Sequence, residues 1–395
     1  MVCRFILTSI KIEIFQTFVG FYRKLNYFCT RKMKKKRIII SVSNNLTTDQ
    51  RVNKVATTLQ NNDFEVLLVG IKRISQNATK TQLVTKHLPV FFKKGFLFYA
   101  ELNIRLFFFL LFSRCDILLA NDTDTVIPNF LVSKIRRKKL VVDLHELFPE
   151  VPEVTNRKFV KKVWTSIENL VFPHIKTGYT VCQSIADYYN VKYGISLKVV
   201  RNVPAKKTVT EKTNRLKFND KKIILYQGAV NEGRGIEWLI DAMPYVDNAV
   251  FVIIGKGDLY EELQAKVQKM QLGDRVIFKG AVPFQELAAY TSCADLGVCL
   301  LEKKGLSYYY SLPNRVFDFM QAHVPLLATD FPEIANILNS CGTGRLINRY
   351  EPEYLADVIR EMLAQPINHA LYEKANSEFN WEKEEEVLLE IFCNL

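Results

Sequence analysis

The sequence predicts an α/β protein made of two Rossmann-like domains, and three observations support that fold class. The chain has 395 residues, too many for one ordinary hydrophobic core, so two domains of roughly 150–200 residues are expected. Apolar strand-like runs alternate with amphipathic helical stretches, which is typical of parallel sheets with crossover helices. Residues 202–220 are rich in Lys, Thr and Asn and contain Pro204 near their start, which indicates a linker. The two sheets are therefore expected to face a central cleft.

Ten apolar runs are the expected strands, five in each half. In the N-terminal half they are 37–42, 65–69, 116–120, 140–144 and 177–181. In the C-terminal half they are 222–227, 249–254, 276–279, 296–300 and 326–328. Several of them end in Gly, Asn or His just before a helical stretch. Because an open parallel sheet binds its ligands at that end of its strands, these positions are candidates for a functional site.

The expected domain boundaries follow from these runs and the linker. The N-terminal domain covers residues 33–202 and the C-terminal domain covers residues 203–378, while a last helical stretch, residues 379–395, is assigned to the N-terminal domain. Residues 1–32 are interpreted as an extension or a misassigned start. Their apolar runs are broken by charged residues and are too short for a spanning helix, and no small-residue cleavage site follows them.

Charge is unevenly divided along the chain, whose net charge is +13. Residues 1–200 contain 32 Lys and Arg against 14 Asp and Glu, which gives +18, and the remaining residues contain 22 against 27, which gives −5. The basic half either serves solubility alone or is drawn to anionic lipid headgroups or a phosphorylated acceptor. Nucleic acid is not an expected partner, because no nucleic-acid-binding motif accompanies the charge.

The eight cysteines argue against a zinc site and against a disulfide framework. None of them forms a Cys-x-x-Cys pair, and their spacing fits no zinc ligand set. Scattered cysteines in a long chain indicate thiols that are reduced and mostly buried, as in a cytosolic protein.

An apolar stretch at residues 96–112 has two interpretations. It is a core crossover helix, or it is an aromatic-rich contact that lies in the plane of a membrane, since Lys93 and Lys94 precede it. It is a little short to span a bilayer, and it contains Glu101 and Arg105.

The strongest candidate cluster lies in the C-terminal half, where Gly228 ends a strand and Gly233-Arg234-Gly235 precedes a helix. Glycines let the backbone approach a ligand closely, and free N–H groups at a helix start attract anions. Arg234 is able to donate two parallel hydrogen bonds to a phosphate. The alternative is an ordinary turn between a strand and a helix.

Two further elements in this half point to the same edge of the sheet. Gly255 and Gly257 follow a strand and open another helix, although Gly-x-Gly without a third Gly is a weak signal for nucleotide binding. Asn314 and Arg315 then begin a helix in which Asp318 lies one turn further on. A carboxylate there is suited to accepting hydrogen bonds from ribose hydroxyls; the alternative is a solvated helix carboxylate.

Together these elements resemble retaining glycosyltransferase family four, also called glycosyl transferases group 1, which has the GT-B fold. The resemblance runs from about Met33 to the end of the chain and implies that Arg234 contacts the donor diphosphate. Val276 and Ile277 are similar to the family's segment whose backbone lies against the base. The family pairs two glutamates eight positions apart, and the second of them matches Asp318.

This sequence departs from the family pattern at two positions. Ala229 stands where an Arg usually follows the first Gly, and Tyr310 stands where the first glutamate of the pair is expected. One branch of the family has a similar Tyr-Ser-Leu-Pro-Asn segment at this point. The resemblance therefore leaves the usual contact to the sugar hydroxyls unassigned.

Several residues of the N-terminal half are candidates for the acceptor side. His145 follows a strand and is similar to the family's cleft histidine beside the transferred sugar, with Glu146 adjacent to it; the alternative is a structural histidine. In the loop after the first strand, Asn45, Asp49 and Arg51 belong to an Asp-x-Arg-Val variant in which Arg51 meets an acceptor phosphate.

One motif suggests a metal site, which is judged not to be present. Asp122-Thr123-Asp124 has the Asp-x-Asp pattern with which some transferases bind Mg²⁺ or Mn²⁺. Such a short motif often occurs by chance, and it is interpreted here as a loop that lines the acceptor side. Neither a metal nor a cofactor is expected.

The resemblance implies a metal-independent hexosyltransferase that moves a sugar from a nucleotide-diphosphate sugar, with retention of configuration, to a saccharide or lipid-linked saccharide in cell-surface polysaccharide synthesis. The expected location is cytoplasmic, peripheral on the inner membrane face, with a lipid-diphosphate saccharide as the hypothetical acceptor. Two alternatives stay open: a nucleotide-sugar epimerase with the GT-B fold, and a catalytically silent nucleotide-sugar-binding module.

Overall fold

The computed structural model describes residues 35–46, 49–71, 83–206, 216–218 and 220–395, with backbone alone at residues 45 and 153. Residues 1–32, interpreted above as an extension or misassigned start, lie outside this range. The described residues form two parallel sheets, each with helices on its faces. The predicted α/β class with two Rossmann-like domains is confirmed.

The N-terminal sheet has seven parallel strands in the order β3-β2-β1-β4-β5-β6-β7. The strands are β1 Arg37–Asn45, β2 Glu65–Ile71, β3 Val84–Leu88, β4 Ile117–Asn121, β5 Lys139–Leu144, β6 Gly178–Thr180 and β7 Lys198–Val199. The helices are α1 Gln50–Asn61, α2 Gly95–Phe112, α3 Thr123–Ile135, α4 Pro152–Thr155, α5 Lys158–Val171 and α6 Gln183–Tyr193. The change of direction from β1 to β4 is the point at which such sheets bind ligands.

The C-terminal sheet has six parallel strands in the order β10-β9-β8-β11-β12-β13. The strands are β8 Lys222–Gln227, β9 Ala249–Ile254, β10 Val276–Gly280, β11 Leu296–Cys299, β12 Leu326–Thr329 and β13 Gly344–Ile347. The helices are α7 Ile236–Ala242, α8 Tyr260–Lys269, α9 Phe284–Thr291, α10 Gly305–Tyr309, α11 Arg315–Gln321, α12 Pro332–Cys341, α13 Pro352–Ala364, α14 His369–Glu378 and α15 Trp381–Cys393.

All ten predicted strands are present, and the sequence missed three others, β3, β7 and β13. Each of the three lies at an edge of its sheet. An edge strand is covered less completely than a central one, so it does not need the continuous apolar run by which buried parallel strands are recognised. The five-residue β3, for example, has only one buried residue, Leu88.

Helix α2 is buried along one stripe only. Phe98, Leu102, Leu106 and Leu110 recur every four residues and pack on the N-terminal sheet, as expected for residues on one face of a helix. The rest of the helix is unusually apolar for a surface, and its 18 residues are long and apolar enough to cross a membrane by length and composition alone. The buried stripe agrees with a core crossover helix, and the contact of the outer face with a membrane stays a prediction.

The last helix, α15, packs against the N-terminal sheet. Its apolar residues Leu388 and Phe392 belong to the same cluster as Ile38 and Val52. Trp381 begins the helix, and its Nε1 donates to Thr58 Oγ1 at 2.9 Å. The chain thus crosses between the sheets twice, once at residues 200–206 and once before Trp381.

Candidate functional site

The carboxyl ends of the strands of both sheets border one cleft. It encloses a cavity of about 420 Å³ that residues of both domains line. Six of the residues predicted from the sequence are in its wall: Asp49, Arg51, His145, Glu146, Arg234 and Asn314. The structure thus brings candidates from the two halves of the chain into one site, which is the arrangement that a two-substrate reaction requires.

His145 is held between two carboxylates. It follows β5 directly, and its Nε2 lies 3.0 Å from Oδ2 of Asp143, the penultimate residue of that strand. Its Nδ1 lies 3.2 Å from Asp122 Oδ2, and its backbone N–H donates to Asp122 Oδ1 at 2.7 Å. Burial disfavours the imidazolium, but Asp122 and Asp143 raise the pKa of His145 well above its ordinary value. The ring is therefore a cation at neutral pH.

Arg51 has a partner that the sequence did not predict. Its guanidinium is 3% exposed and donates to both carboxylate oxygens of Asp143, at 2.8–3.2 Å, and to the Val200 carbonyl at 2.8 Å. Burial acts to raise the pKa of Asp143, but Arg51 and His145 lower it to about 2. Arg51 therefore neutralises a buried carboxylate at the cavity wall, and its predicted contact with an acceptor phosphate stays a prediction.

The other three residues predicted for the acceptor side lie at the end of β1, at the start of α1 and beside His145. Asp49 caps helix α1, since its side chain accepts from the Val52 N–H at 3.1 Å. Asn45 ends β1, and its side chain is not described. Glu146 lines the cleft beside His145.

The Asp122-Thr123-Asp124 motif is used internally. Asp122 binds His145, as above, and Asp124 accepts a short hydrogen bond from Ser43 Oγ. Burial and the neighbouring Asp122 raise the pKa of Asp124 to about 7. Within the described part of the chain, no group of three or more His, Cys, Asp and Glu side chains is arranged to hold a metal ion. The motif follows β4, with Asp122 just before helix α3 and with Thr123 and Asp124 in its first turn, rather than forming the predicted loop.

On the opposite wall, the ends of β8 and β9 approach each other very closely. Gly255 has φ +145°, and a Cβ built on it would lie 1.8 Å from the carbonyl oxygen of Gly228, whose own φ is +138°. No other residue type fits these two positions. Gly257 is equally crowded, because its Cβ would lie 2.2 Å from Asn231 Oδ1. The three predicted glycines therefore shape this edge through close backbone contacts.

Two arginines at this edge rest on tyrosine rings. Arg315 Cζ lies 4.7 Å from the centre of the Tyr226 ring, and Arg234 Cζ lies 4.5 Å from the centre of the Tyr308 ring. The buried atoms Arg315 Nη1 and Arg234 Nε have no hydrogen-bond partner among the described residues. Arg234 lines the cavity, and Arg315 lies beside Gly228. Since a buried guanidinium donor without an acceptor is costly, each of these side chains is suited to a further acceptor, such as an anion.

Asp318 is fixed behind these arginines. Its Oδ2 accepts from Gln227 Nε2 at 2.9 Å, and Gln227 in turn accepts from Thr291 Oγ1 at 2.8 Å. The carboxylate is half-buried and does not line the cavity itself. Asn314, which precedes helix α11, does line it.

Val276 and Ile277, predicted from the resemblance to lie against a base, are at the wrong end of their strand. Val276 is the first residue of β10, is buried, and pairs with Phe251 within the sheet. The other end of the strand, at Gly280, pairs with Ile254 and reaches the cleft. Four residues of strand separate the two ends by roughly 13 Å, so the structure does not bring Val276 to the site.

The sequence missed residues that hold the cleft together. Tyr226 and Tyr308 lie under the arginines. No sequence motif distinguishes these two residues from tyrosines of the hydrophobic core. Across the cleft, Glu333 Oε1 accepts from the Ser184 N–H at 2.7 Å, and Cys182 Sγ lies 3.2 Å from the Tyr310 carbonyl. Tyr310, which replaces the expected glutamate, thus contributes a domain contact through its backbone.

Comparison with known families supports part of these assignments. Residues 221–365 match the family described as Glycosyl transferases group 1. A curated chitobiosyldiphosphodolichol beta-mannosyltransferase of Candida albicans is 22% identical over 281 residues, which is 62% of this chain and 60% of that protein. An alpha-D-kanosaminyltransferase of Streptomyces kanamyceticus is 24% identical over 40% of each chain. The alignments thus span at most about three fifths of these relatives.

Solved structures match over almost the whole fold. Sucrose-phosphate synthase from Thermosynechococcus elongatus has a TM-score of 0.73 at 16% identity, covering 91% of this chain and 99% of that one. Anabaena HepE, solved in complex with UDP-glucose, has a TM-score of 0.72 at 14% identity, covering 91% and 100%. The chain therefore has the GT-B fold, and its C-terminal domain matches glycosyl transferases group 1.

Proposed function

We propose that this chain is a retaining glycosyltransferase that moves a sugar from a nucleotide-diphosphate sugar to a saccharide or lipid-linked saccharide. One observation carries the proposal: Arg234, in the wall of the two-domain cleft, and Arg315, beside Gly228 at the strand ends, rest on tyrosine rings, and each has a buried guanidinium nitrogen that lacks an acceptor among the described residues. The family match over the same domain and the UDP-glucose complex of a similar fold agree with a nucleotide-sugar donor.

The donor diphosphate is assigned to the two arginines. Departure of the nucleoside diphosphate leaves negative charge on its terminal phosphate, and fixed cations in a partly buried cleft stabilise that charge more strongly than water does. Asp318, held by Gln227, is assigned to the ribose hydroxyls. Two guanidinium groups supply the positive charge, so we propose that no metal ion is required.

Retention is proposed to follow from attack on the same face, assisted by the departing phosphate. His145 is flanked by carboxylates at both ring nitrogens, so it has no free lone pair with which to act as a base. Asp143 is fully buried and bound by Arg51, which makes it a poor nucleophile toward a sugar carbon. The role that fits His145 is to orient the acceptor wall and to balance its acidic charge.

The test is a panel of UDP-, GDP- and ADP-sugars, screened first by thermal shift and then for released nucleoside diphosphate, with and without a chelator. We expect the nucleotide sugars of one base to stabilise the protein against heat. We also expect the protein to release the nucleoside diphosphate from one of them, with the sugar transferred or hydrolysed, when the chelator is present. An isomerised donor would support the epimerase instead, and a thermal shift with no turnover under any condition would support a silent binding module.

We further propose that the protein works at the cytoplasmic, inner face of an anionic membrane, in the synthesis of cell-surface polysaccharide. Helix α2 exposes Phe108 and Phe112, and Lys93 and Lys94 lie just before it. Apolar side chains flanked by cations favour an interface between headgroups and acyl chains.

Vesicle sedimentation tests this location. We expect binding to phosphatidylglycerol-containing vesicles at low salt, weaker binding at high salt, and a loss of at least several-fold in Phe108→Glu. Phe284→Glu, at a half-exposed Phe of the C-terminal domain, is the matched control and should bind like the unmodified protein. Equal binding by both variants, or no binding at low salt, would refute the membrane location.

A further inference from the structure

A second, larger cavity lies in the N-terminal domain between helices α2, α3 and α5. Its volume is about 780 Å³, which is within the range of pockets that hold small organic ligands. Much of its wall is apolar or aromatic, including Phe96, Tyr99, Ile104, Phe148 and Trp164. The reaction as proposed so far makes no use of this space.

The cavity adjoins the cleft. Glu146 lines both spaces. Asp122 and Asp124 also line the larger cavity, and Asp122 is the residue that binds His145 in the cleft. A ligand in the larger cavity therefore has one end beside the donor site.

The charge of these acidic side chains selects between ligand headgroups. Carboxylates accept hydrogen bonds from hydroxyl groups and repel phosphates. Arg157 is the one Lys or Arg side chain among the described residues that line this cavity, and it lies in the loop before helix α5. Since Asp122 is paired with His145 and Asp124 has a raised pKa, these carboxyl groups are suited to hydrogen bonds with an uncharged sugar and offer a phosphate no positive charge.

The other end of the cavity merges with exposed apolar surface. Three of its wall residues, Phe96, Ile104 and Phe159, are 68%, 59% and 75% exposed. Exposed apolar side chains that border a groove mark a place where an apolar ligand or a membrane covers them. A free water-soluble saccharide would leave them uncovered.

We propose that the acceptor is an amphiphile whose apolar chain lies in this cavity and whose sugar hydroxyls lie against Glu146 and Asp122. The inference rests on the proposed function, since it names the acceptor class of that same site. It also revises the hypothesis of a phosphate contact at Arg51, because the acceptor's reactive end meets carboxylates.

The test uses the fluorescence of Trp164, which lines the cavity. The chain has three tryptophans, and the other two lie away from the cavity, Trp238 against Tyr350 and Trp381 at the start of α15. The probe is a decyl glucoside brominated along its chain, used below its critical micelle concentration. We expect saturable quenching that methyl glucoside does not compete with, and loss of most of the quenching in Trp164→Phe.

Variants of the wall separate the cavity from general apolar surface. Ile104→Glu and Phe159→Glu should weaken probe binding by at least ten-fold. Leu170→Glu lies on the same helix as Phe159 and is similarly exposed, but it does not line the cavity, so it should bind normally. Circular dichroism checks that each variant is folded, and unchanged binding in both wall variants would overturn the proposal.

A second probe, brominated decyl phosphate, tests the headgroup. We expect it to bind at least ten-fold more weakly than the glucoside; equal or tighter binding would overturn the assignment of the acidic end to sugar hydroxyls. Because quenching does not depend on turnover, a protein that binds the glucoside but releases no nucleoside diphosphate would refute the proposed function and leave the cavity assignment standing. Turnover without saturable quenching would refute the cavity assignment and leave the proposed function standing.

Discussion

The two walls of the cleft carry their charges in opposite ways. On the N-terminal wall, Arg51, Asp143, His145 and Asp122 neutralise one another through contacts of 2.7–3.2 Å. On the C-terminal wall, the arginines rest on tyrosine rings and keep buried nitrogens without an acceptor. The charges of the N-terminal wall are thus balanced by one another, whereas two guanidinium groups of the C-terminal wall rest on aromatic rings and have no carboxylate partner among the described contacts.

This difference shows that the net charge of a domain does not indicate whether its cleft cations are paired. The half with the excess of +18 has its cleft cations paired internally, whereas the half with −5 contains the unpaired guanidinium nitrogens. Buried charges must be compensated where they stand, so the local partners of each side chain decide its role. The surplus surface charge of the N-terminal half acts at longer range, on the protein's association with an anionic surface.

The largest expected effect concerns the N-terminal wall. Arg51→Met should lower the free energy of unfolding by about 3–5 kcal/mol, because it removes the guanidinium from the buried Asp143 and leaves only His145 to balance that carboxylate. Chemical denaturation measures this, with Lys35→Ala as the control. Lys35 is in an exposed ion pair with Asp63, a kind of pair that usually contributes less than about 1 kcal/mol.

If Arg51→Met lowers the free energy of unfolding no more than Lys35→Ala does, then the stability of the N-terminal wall does not depend on its internal charge balance. The double variant Arg51→Met, Asp143→Asn sharpens the comparison. It should be more stable than the sum of the single changes predicts, since the two residues compensate each other.

The next effect concerns the C-terminal wall and should appear in turnover rather than in stability. Arg234→Ala should reduce turnover by about 10²–10³-fold, the loss typical of removing one group that stabilises developing negative charge. Asp318→Ala should also lower turnover strongly. Arg360→Ala, at an exposed pair with Asp357, is the control, and near-normal rates in both site variants would contradict the donor assignment.

A smaller effect is expected from Asp124 as the pH changes. Its pKa is raised from 3.8 to about 7 in the folded protein, so the folded state retains a proton that the unfolded state releases. The free energy of unfolding should therefore fall as the pH rises from about 4 to 7, by about 3 kcal/mol. Asp124→Asn should remove most of this fall and be the more stable protein at pH 8.

Thermal unfolding at pH 5 and pH 8 measures this difference. Asp187→Asn, at an exposed carboxylate of helix α6, should behave like the unmodified protein. If Asp124→Asn and the unmodified protein show the same dependence on pH, then Asp124 does not carry the proton.

The sequence alone determined the fold class, the central strands and the C-terminal candidates. Continuous apolar runs specify strands that are buried on both faces, and the glycines at the ends of β8 and β9 are required by local backbone geometry. Arg234 and Asn314 follow from short motifs whose residues are neighbours in the chain. Such features depend on residues that are close together in the chain, so the sequence alone is enough to predict them.

Only the tertiary structure decided how the side chains are paired. Arg51 and Asp143 are 92 residues apart, and no local pattern indicates that this arginine binds a buried carboxylate rather than a ligand. No sequence motif identifies the tyrosines that lie under Arg234 and Arg315 either. Val276 belongs to a correctly predicted strand, but only the parallel arrangement of the sheet decides which end of that strand reaches the cleft. These outcomes depend on which groups compete for the same buried space, and that competition exists only once the chain has folded.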